Sequence, residues 1–328
     1  MRPLAFRLLR ELSHERFTSG AQLAERFGVS RSAVSDALHD ATEAGVGIFS
    51  LTRRGYRLAG PVELLDVARI RGALGAHAAR VDVEVVETID STNSALTARA
   101  VNGAASGSCI VAEMQTAGRG RRGRTWQSAP GASLTFSLLW RFEKGAAHLG
   151  GLSLAVGLAV QRTLTRLGAK TGAVTLKWPN DILAGHRKLG GVLIETQGDM
   201  LGPTAAVIGI GLNVELPAAL NDAIDQPAAA VNAVLNAPVS RNALLAALLT
   251  DLVQVLDRFQ ADGFRPFKAE WIAAHALHQK PVRVMNGDAS ALDAAVRGVS
   301  DDGALIVMHQ GREIALNSGE VTLRGAVK

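Results

Sequence analysis

Four arginines crowd one glycine-rich run, Gln115-Thr116-Ala117-Gly118-Arg119-Gly120-Arg121-Arg122-Gly123-Arg124-Thr125-Trp126. Guanidinium groups this close repel one another, so the run taken alone reads as a solvated loop that binds nucleic acid. It is flanked, however, by apolar runs that read as strands over 109–114 and 133–139. A cationic loop anchored at both ends can close over a phosphate. Glycines admit backbone N–H groups to the oxygens, and arginines make charge-assisted forks.

Three further runs share that middle region. Asp90-Ser91-Thr92-Asn93-Ser94 follows a strand expected over 81–88; it reads as a helix N-cap, and its hydroxyls also suit a polar ligand. Thr175-Leu176-Lys177-Trp178-Pro179-Asn180-Asp181 precedes Lys188-Leu189-Gly190-Gly191-Val192. Pro179 ends a strand and displays Asn180 and Asp181 there, while Gly190 and Gly191 remove side chains where a flat ligand could lie on the backbone. A plain hairpin accounts for the proline and the glycines, but not for two lysines and a tryptophan at one turn. Val207-Ile208-Gly209-Ile210-Gly211-Leu212-Asn213-Val214 carries Gly-x-Gly after a strand, yet Glu215-Leu216-Pro217 stops any helix. The dinucleotide-fold reading fails, and the glycines are left as pocket lining.

These runs need a scaffold. Strands are expected over 81–88, 109–114, 133–139, 174–178, 191–195 and 205–210, with long helices over 149–167 and 241–261. No regular βαβ alternation joins them, which predicts an α+β fold with a mixed sheet and helices packed against it. Ahead of this region, Leu4, Leu8, Leu9 and Leu12 recur at helical spacing, a second helix is expected over 21–27, and Gly28-Val29-Ser30 turns into a third over 31–44 with Ser30 as N-cap. Alternating runs at 47–51 and 56–58, joined by Thr52-Arg53-Arg54-Gly55, complete a winged helix-turn-helix pattern. Ser30, Arg31, Ser32, Ser35 and Asp36 would reach phosphates or base edges in a major groove, and Arg53 and Arg54 the adjacent backbone or minor groove. The third helix sets one arginine against Asp36, Asp40 and Glu43, a net charge of −2. Phosphate neutralisation would therefore fall to the wing, and a protein-docking module is the other reading.

Beyond about residue 279 the chain breaks into short alternating runs at 282–285, 294–299, 305–308 and 319–323, with Asn286-Gly287-Asp288 and Asp301-Asp302-Gly303 as turns. That pattern reads as a small barrel. The expected domains are 1–61, 62–278 and 279–328, which suits a chain of 328 residues. The net charge of +5 favours anionic partners. Cys109 is the single cysteine, which excludes an intrachain disulfide; among apolar neighbours it reads as a packed thiol. Arg2, Arg7, Arg10 and Glu11 interrupt the apolar N-terminus and argue against a signal peptide. The longest apolar stretch, near 152–160, is too short to span a bilayer. A cytoplasmic protein with no membrane partner is expected.

Taken in order, the strings GRGRRGR-x-W, KWPND, RKLGG and GIGLN resemble the biotin protein ligases. Essentially the whole chain resembles their bifunctional ligase/repressors, with a winged helix, a class II synthetase-like biotin/lipoate ligase catalytic domain and an SH3-like C-terminal barrel. The resemblance implies that biotin is adenylated by Mg-ATP, both arriving as substrates, and then passed to a lysine of the biotin carboxyl carrier protein of acetyl-CoA carboxylase. By the same resemblance Ser91, Thr92, Asn93, Gln115, Arg119, Gly120, Arg121, Lys188, Gly191, Gly209 and Gly211 meet biotin. Arg119, Arg121, Arg124, Trp126, Lys177, Asn180 and Asn213 fall on the nucleotide side. Arg121, Lys188 and Asp181 carry the chemistry, with Asp181 either handling the incoming lysine or helping to hold magnesium; no fixed protein metal site is implied. Operator DNA and an adenylate-promoted homodimer are the further partners implied. Two features depart from the pattern: the acidic third helix, and an alanine-rich stretch at 221–238 with no aromatic to stack on adenine. A lipoate-type ligase, or a transcription factor that only senses a ligand, is the alternative.

Overall fold

The computed structural model describes residues 1–286, 291–317 and 321–325. Helices α1 (Pro3–Leu9), α2 (Gly20–Phe27) and α3 (Arg31–Glu43) bury Leu8, Leu9, Leu23, Val34, Leu38 and Ala41 in one small core. The hairpin of β1 (Ile48–Leu51) and β2 (Gly55–Leu58) lies beside it. Local chemistry sets the boundaries. Ser19 and Gln22 form a capping box on α2, and Gly28 ends that helix in the left-handed region. Ser30 Oγ accepts the Ala33 amide at 3.1 Å to open α3. Helix α1 stops before Leu12, but Leu12 is still buried and its amide bonds to the Leu8 carbonyl at 3.1 Å.

The central region begins with α4 (Val67–Leu74), then β3 (Asp82–Ile89), α5 (Thr92–Val101), β4 (Ser108–Gln115), β5 (Ser133–Phe142) and α6 (Leu152–Arg166). It continues with β6 (Thr175–Lys177), β7 (Asp181–Ala184), β8 (Arg187–Gly198), β9 (Thr204–Asn213), α7 (Ala218–Ala223), α8 (Arg241–Asp262) and α9 (Lys268–Ala274). Its strands form one mixed sheet in the order β3-β4-β5-β9-β8-β7-β6, parallel only between β3 and β4. Strand β5 is buried on both faces. Leu134, Phe136 and Leu138 join the core shared with α6 and α8, while Leu139 joins Leu96 of α5 with Ile110 and Val207. Period-two alternation cannot show on a strand covered on both sides, which is why β5 reads as an apolar run.

Strands β10 (Pro281–Asn286), β11 (Ala291–Val299), β12 (Leu305–His309), β13 (Arg312–Leu316) and β14 (Val321–Gly325) form a five-stranded antiparallel sheet in the order β13-β12-β11-β10-β14. Residues 287 and 288 of the expected turn, and 319 and 320 of the expected last strand, lie outside the described residues. Val282, Val284, Val296 and Leu305 are buried in the same core as α6 and α8.

One buried ion pair fastens the segment between the N-terminal helices and α4 to this framework. Glu113, fully buried on β4, accepts Arg241 Nη1 at 2.9 Å, the Gly131 amide at 3.3 Å and the Leu65 amide. Arg241 also donates to the Glu63 carbonyl at 2.9 Å. Burial raises the Glu63 carboxyl, but hydrogen bonds from Ser240, Asn242 and Arg241 prevail and hold it below its usual value. Removing either member of such a pair strands a charge and costs about 3–5 kcal/mol. A glutamate inside the apolar run 109–114 is therefore a structural clasp, not a site residue.

Candidate active site

A cavity of about 850 Å³ opens where the N-terminus of α5, the end of β4, the arginine loop, the β6–β7 turn and the segment 223–228 converge on β8 and β9. Such a volume suits a ligand larger than a simple metabolite. Ser91, Thr92, Asn93, Gln115, Arg119, Gly120, Arg121, Arg124, Trp126, Lys177, Asn180, Asp181, Lys188, Gly191, Gly209, Gly211 and Asn213 all line it. Stretches of chain between Ser91 and Asn213 thus meet around one space.

At the α5 end of the cavity the polar side chains form a connected network. Ser91 is the N-cap of α5, which places Thr92 and Asn93 on the first turn. Gln115 Oε1 accepts the Thr92 amide at 2.7 Å and its hydroxyl at 3.1 Å. Ser137 Oγ lies 2.8 Å from Thr92 Oγ1 and 2.6 Å from Asn93 Oδ1. Asn93 Nδ2 donates to Glu195 Oε2 at 2.9 Å, and Arg119 pairs with the same oxygen. Sequence reasoning missed Glu195 and Ser137 altogether.

The arginine loop folds back on itself. The Gly120 amide donates to Arg124 O at 2.7 Å and the Trp126 amide to Gly118 O at 2.8 Å. Arg122 and Gly123 take left-handed backbone angles, with φ of 56° and 71°. Arg121 Nη1 donates to Asn180 Oδ1 at 3.4 Å. Burial lowers the Arg121 guanidinium from its usual value, Arg122 lowers it further, and Asp181 partly offsets both. Lys188 Nζ stands 2.7 Å from Asp181 Oδ1. The Lys188 backbone is strapped to the 223–228 side, donating to Pro227 O at 2.8 Å and accepting the Ala229 amide at 2.8 Å. Asn213 braces the same strap, its Nδ2 facing Lys188 O at 3.4 Å and Ala229 O at 3.3 Å. Trp126 Nε1 is buried without a hydrogen-bond partner among the described residues.

Gly191, Gly209 and Gly211 line the cavity, and three glycines also make room for protein. A Cβ on Gly209 would sit 2.8 Å from Asn93 Cγ, one on Gly211 2.5 Å from the Trp126 ring, and one on Gly190 2.6 Å from Gly211 O. Gly191 has only ordinary contacts, at 3.5 Å or more. Trp178, read as part of the turn's chemistry, is buried in the core, where its Nε1 donates to Gly303 O at 3.0 Å in the third region. Its amide faces His275 Nε2 at 3.5 Å. Burial first, then His278, Lys280 and Lys177, pushes the His275 imidazole down to about 3, so the ring is neutral and able to accept.

Gly209→Ala is accordingly expected to act through Asn93. The added methyl displaces a buried amide that has no other space, and the KM for the ligand held there should rise about 30-fold while the KM for a co-substrate held at the arginine loop stays within twofold. Initial-rate kinetics with each substrate varied in turn would check this; equal changes in both would refute it.

In the N-terminal region Arg31, Ser32 and Ser35 are exposed on α3 and Arg53 and Arg54 at the hairpin tip. Ser30 is committed to its cap. The acidic face of α3 is partly offset: Arg2 lies 3.0 Å from Asp40 and 3.8 Å from Asp36. The Arg54 guanidinium is held over the Phe17 ring at 5.0 Å. Cys109 is buried, which pushes its thiol well up and excludes a nucleophile. Among the described residues no helix is long and apolar enough to cross a membrane, and no cluster of three or more His, Cys, Asp or Glu could hold a metal.

Residues 85–213 match the model of the biotin/lipoate A/B protein ligase family, and residues 5–57 match a helix-turn-helix domain model. The chain is 36% identical over 319 residues to the bifunctional ligase/repressor BirA of Salmonella typhimurium, covering 97% of each chain. It is 35% identical to that of Escherichia coli, covering 98% of each. Among solved structures it resembles the biotin protein ligase from Aquifex aeolicus in complex with biotin and ATP, with 26% identity and a TM-score of 0.63, over 75% of this chain and 99% of that one.

Proposed function

This chain belongs to the bifunctional ligase/repressors of the biotin protein ligase family, and we propose that it adenylates biotin and transfers it to a carrier-protein lysine. The observation that supports this most is the convergence of Lys188, Arg119 and Arg121 on one cavity with the Thr92–Asn93–Gln115 network. In the first step a biotin carboxylate oxygen bonds to the α-phosphorus of ATP and the bond to pyrophosphate breaks. Two anions must meet, so the cations at the site lower the barrier by stabilising charge that builds in the transition state. In the second step the carrier lysine attacks the acyl carbon, AMP leaves with the former carboxylate oxygen, and the amine loses a proton. Asp181, already an acceptor for Lys188 Nζ at 2.7 Å, is placed to orient that amine or take its proton. Magnesium comes with ATP as substrate.

The test is transfer of labelled biotin to a biotin carboxyl carrier domain. ATP-dependent, acid-stable label on the carrier is expected. Lipoate-dependent, biotin-independent pyrophosphate exchange would instead assign the sister chemistry, and no exchange with either acid would leave a ligand sensor.

A second role rests on the exposed α3 and wing. We infer a cytoplasmic repressor of the biotin operon whose two copies, paired when adenylate is bound, place their winged helices on a two-fold operator. The expected domains are 1–61 for DNA, 62–278 for catalysis and 279–328 for the barrel. Operator affinity should fall steeply with salt, and Arg31→Ala and Arg54→Ala should each reduce the slope by about 1. Affinity independent of salt would overturn the DNA reading.

A further inference from the structure

Glu195 stands behind the cavity wall, yet it touches two residues of that wall and lies on β8 beyond the Lys188–Gly191 run, at a position no motif includes. We propose that Glu195 is a positioning residue that fixes the hydrogen-bond polarity of the site and thereby its recognition of a cyclic urea; this rests on the biotin reading above. Asn93 Nδ2 meets two acceptors, Glu195 Oε2 at 2.9 Å and Leu193 O at 3.4 Å. The amide can therefore lie only one way, and its Oδ1 must accept the one hydroxyl proton of Ser137, 2.6 Å away. Ser137 has then no proton for Thr92, so Thr92 Oγ1 donates, either to Ser137 at 2.8 Å or to Gln115 Oε1 at 3.1 Å. In both cases its lone pairs are left to accept. Gln115 Oε1 is engaged by the Thr92 amide at 2.7 Å, which turns Nε2 outward as a donor.

With a carboxylate as terminal acceptor, the chain of protons runs from Thr92 toward Glu195. The wall then offers acceptor lone pairs at Thr92 and donors at Gln115, complementary to the N–H groups and carbonyl of a ureido ring. The same carboxylate oxygen anchors Arg119, so polarity at the ring and placement of a cation at the loop depend on one residue. A neutral side chain at 195 would let Asn93 turn over, reverse Ser137 and blur the pattern. The glycine at 209 belongs to this device, because only without a side chain there can Asn93 reach Ser137 and Glu195 together.

The experiment is steady-state pyrophosphate exchange with wild type, Glu195→Gln and Glu195→Asp, varying biotin, desthiobiotin and ATP separately. Biotin-dependent exchange by wild type is the control; its failure would count against the ligase reading itself and is separate from the result at 195. Glu195→Gln should raise the KM for biotin about 30-fold, with the ATP KM within about twofold and kcat within about threefold. Desthiobiotin, which keeps the ureido ring and lacks the thioether, should shift by the same factor. Glu195→Asp, which restores the charge, should recover most of the loss. Because the Glu195 side chain is about a third exposed (31%), both polar replacements are compatible with folding. An unchanged biotin KM, a fall in kcat alone, equal rises for biotin and ATP, or no recovery with aspartate would each overturn the proposal.

Discussion

Lys188→Met is expected to reduce biotin-dependent pyrophosphate exchange by about 10³–10⁴-fold while leaving the fold intact. Lys188 Nζ lies 2.7 Å from Asp181 Oδ1, and the two side chains are largely shielded, at 18% and 23% exposure. Removing the ammonium does two things. It deletes a cation facing the incoming carboxylate and phosphate, an effect of roughly 10²–10³-fold for one preorganised charge contact. It also leaves Asp181 as an uncompensated anion in a space that must admit two more. Methionine keeps an apolar stem of similar length beside Gly191, where even an added Cβ would stand 3.5 Å from Lys188 Cε. The backbone bonds to Pro227 and Ala229 need no side chain, so the melting temperature should change little. The two contributions separate in a double-mutant cycle: Lys188→Met with Asp181→Asn should be more active than Lys188→Met alone, by about tenfold or more. Loss of less than tenfold in the single mutant, or strict additivity in the double, would remove Lys188 from the chemistry. Asp181→Asn alone should slow carrier acylation more than adenylation; equal slowing would confine Asp181 to holding Lys188.

What the sequence could announce was set by how local the physics is. Ser30, Gly28 and the Ser19–Gln22 pair set the ends of α2 and α3 through hydrogen bonds within a few residues, so the winged helix was readable in outline. Strands β4, β5 and β9 are mostly buried and largely apolar, so their existence was plain while their order was not. The short elements were lost for lack of signal. Strand β7 has four residues and β13 five, and α4 presents only Ile70 and Leu74 as buried positions.

The motif residues meet in one cavity, and it was the ordered strings, not the type of any one residue, that grouped them. Their supports were invisible. Glu195 is one residue of a twelve-residue strand and meets Arg119 across 76 positions of chain. The glycines were seen as pocket lining, but only the packed structure shows that Asn93 and Trp126 also fill the space a side chain would take. A partial signal did exist for Glu113: a charged residue inside the buried run 109–114 requires a partner, and only its identity, Arg241, lay out of reach.

Arg121→Gly is expected to act on the other half of the cycle, releasing the adenylate rather than failing to make it. Arg121 is the loop arginine that reaches across to the β6–β7 turn, with Nη1 3.4 Å from Asn180 Oδ1 and within the field of Asp181. Burial and the neighbouring Arg122 both disfavour its charge, so an anion brought beside it relieves a repulsion that exists in the ligand's absence. That relief draws the loop onto the phosphate and shields the mixed anhydride from water. Glycine removes the fork and frees the backbone at once. Adenylate release should therefore accelerate about 100-fold, equivalent to roughly 2.7 kcal/mol and in line with losing a charge-assisted hydrogen bond. Formation should fall less than tenfold, because Lys188 and Arg119 remain. Gel filtration of the enzyme charged with labelled biotin and ATP reads the retained fraction, and labelling of unrelated amines in solution reads the escaped one. Arg121→Lys should sit between the two, keeping the charge without the bidentate fork. If the glycine variant holds its intermediate as long as wild type does, the loop is not the closure. The distinction from Lys188 is then the useful one: a cation that lowers the barrier to making the anhydride leaves no trace on its lifetime, and a cation that closes the site changes little else.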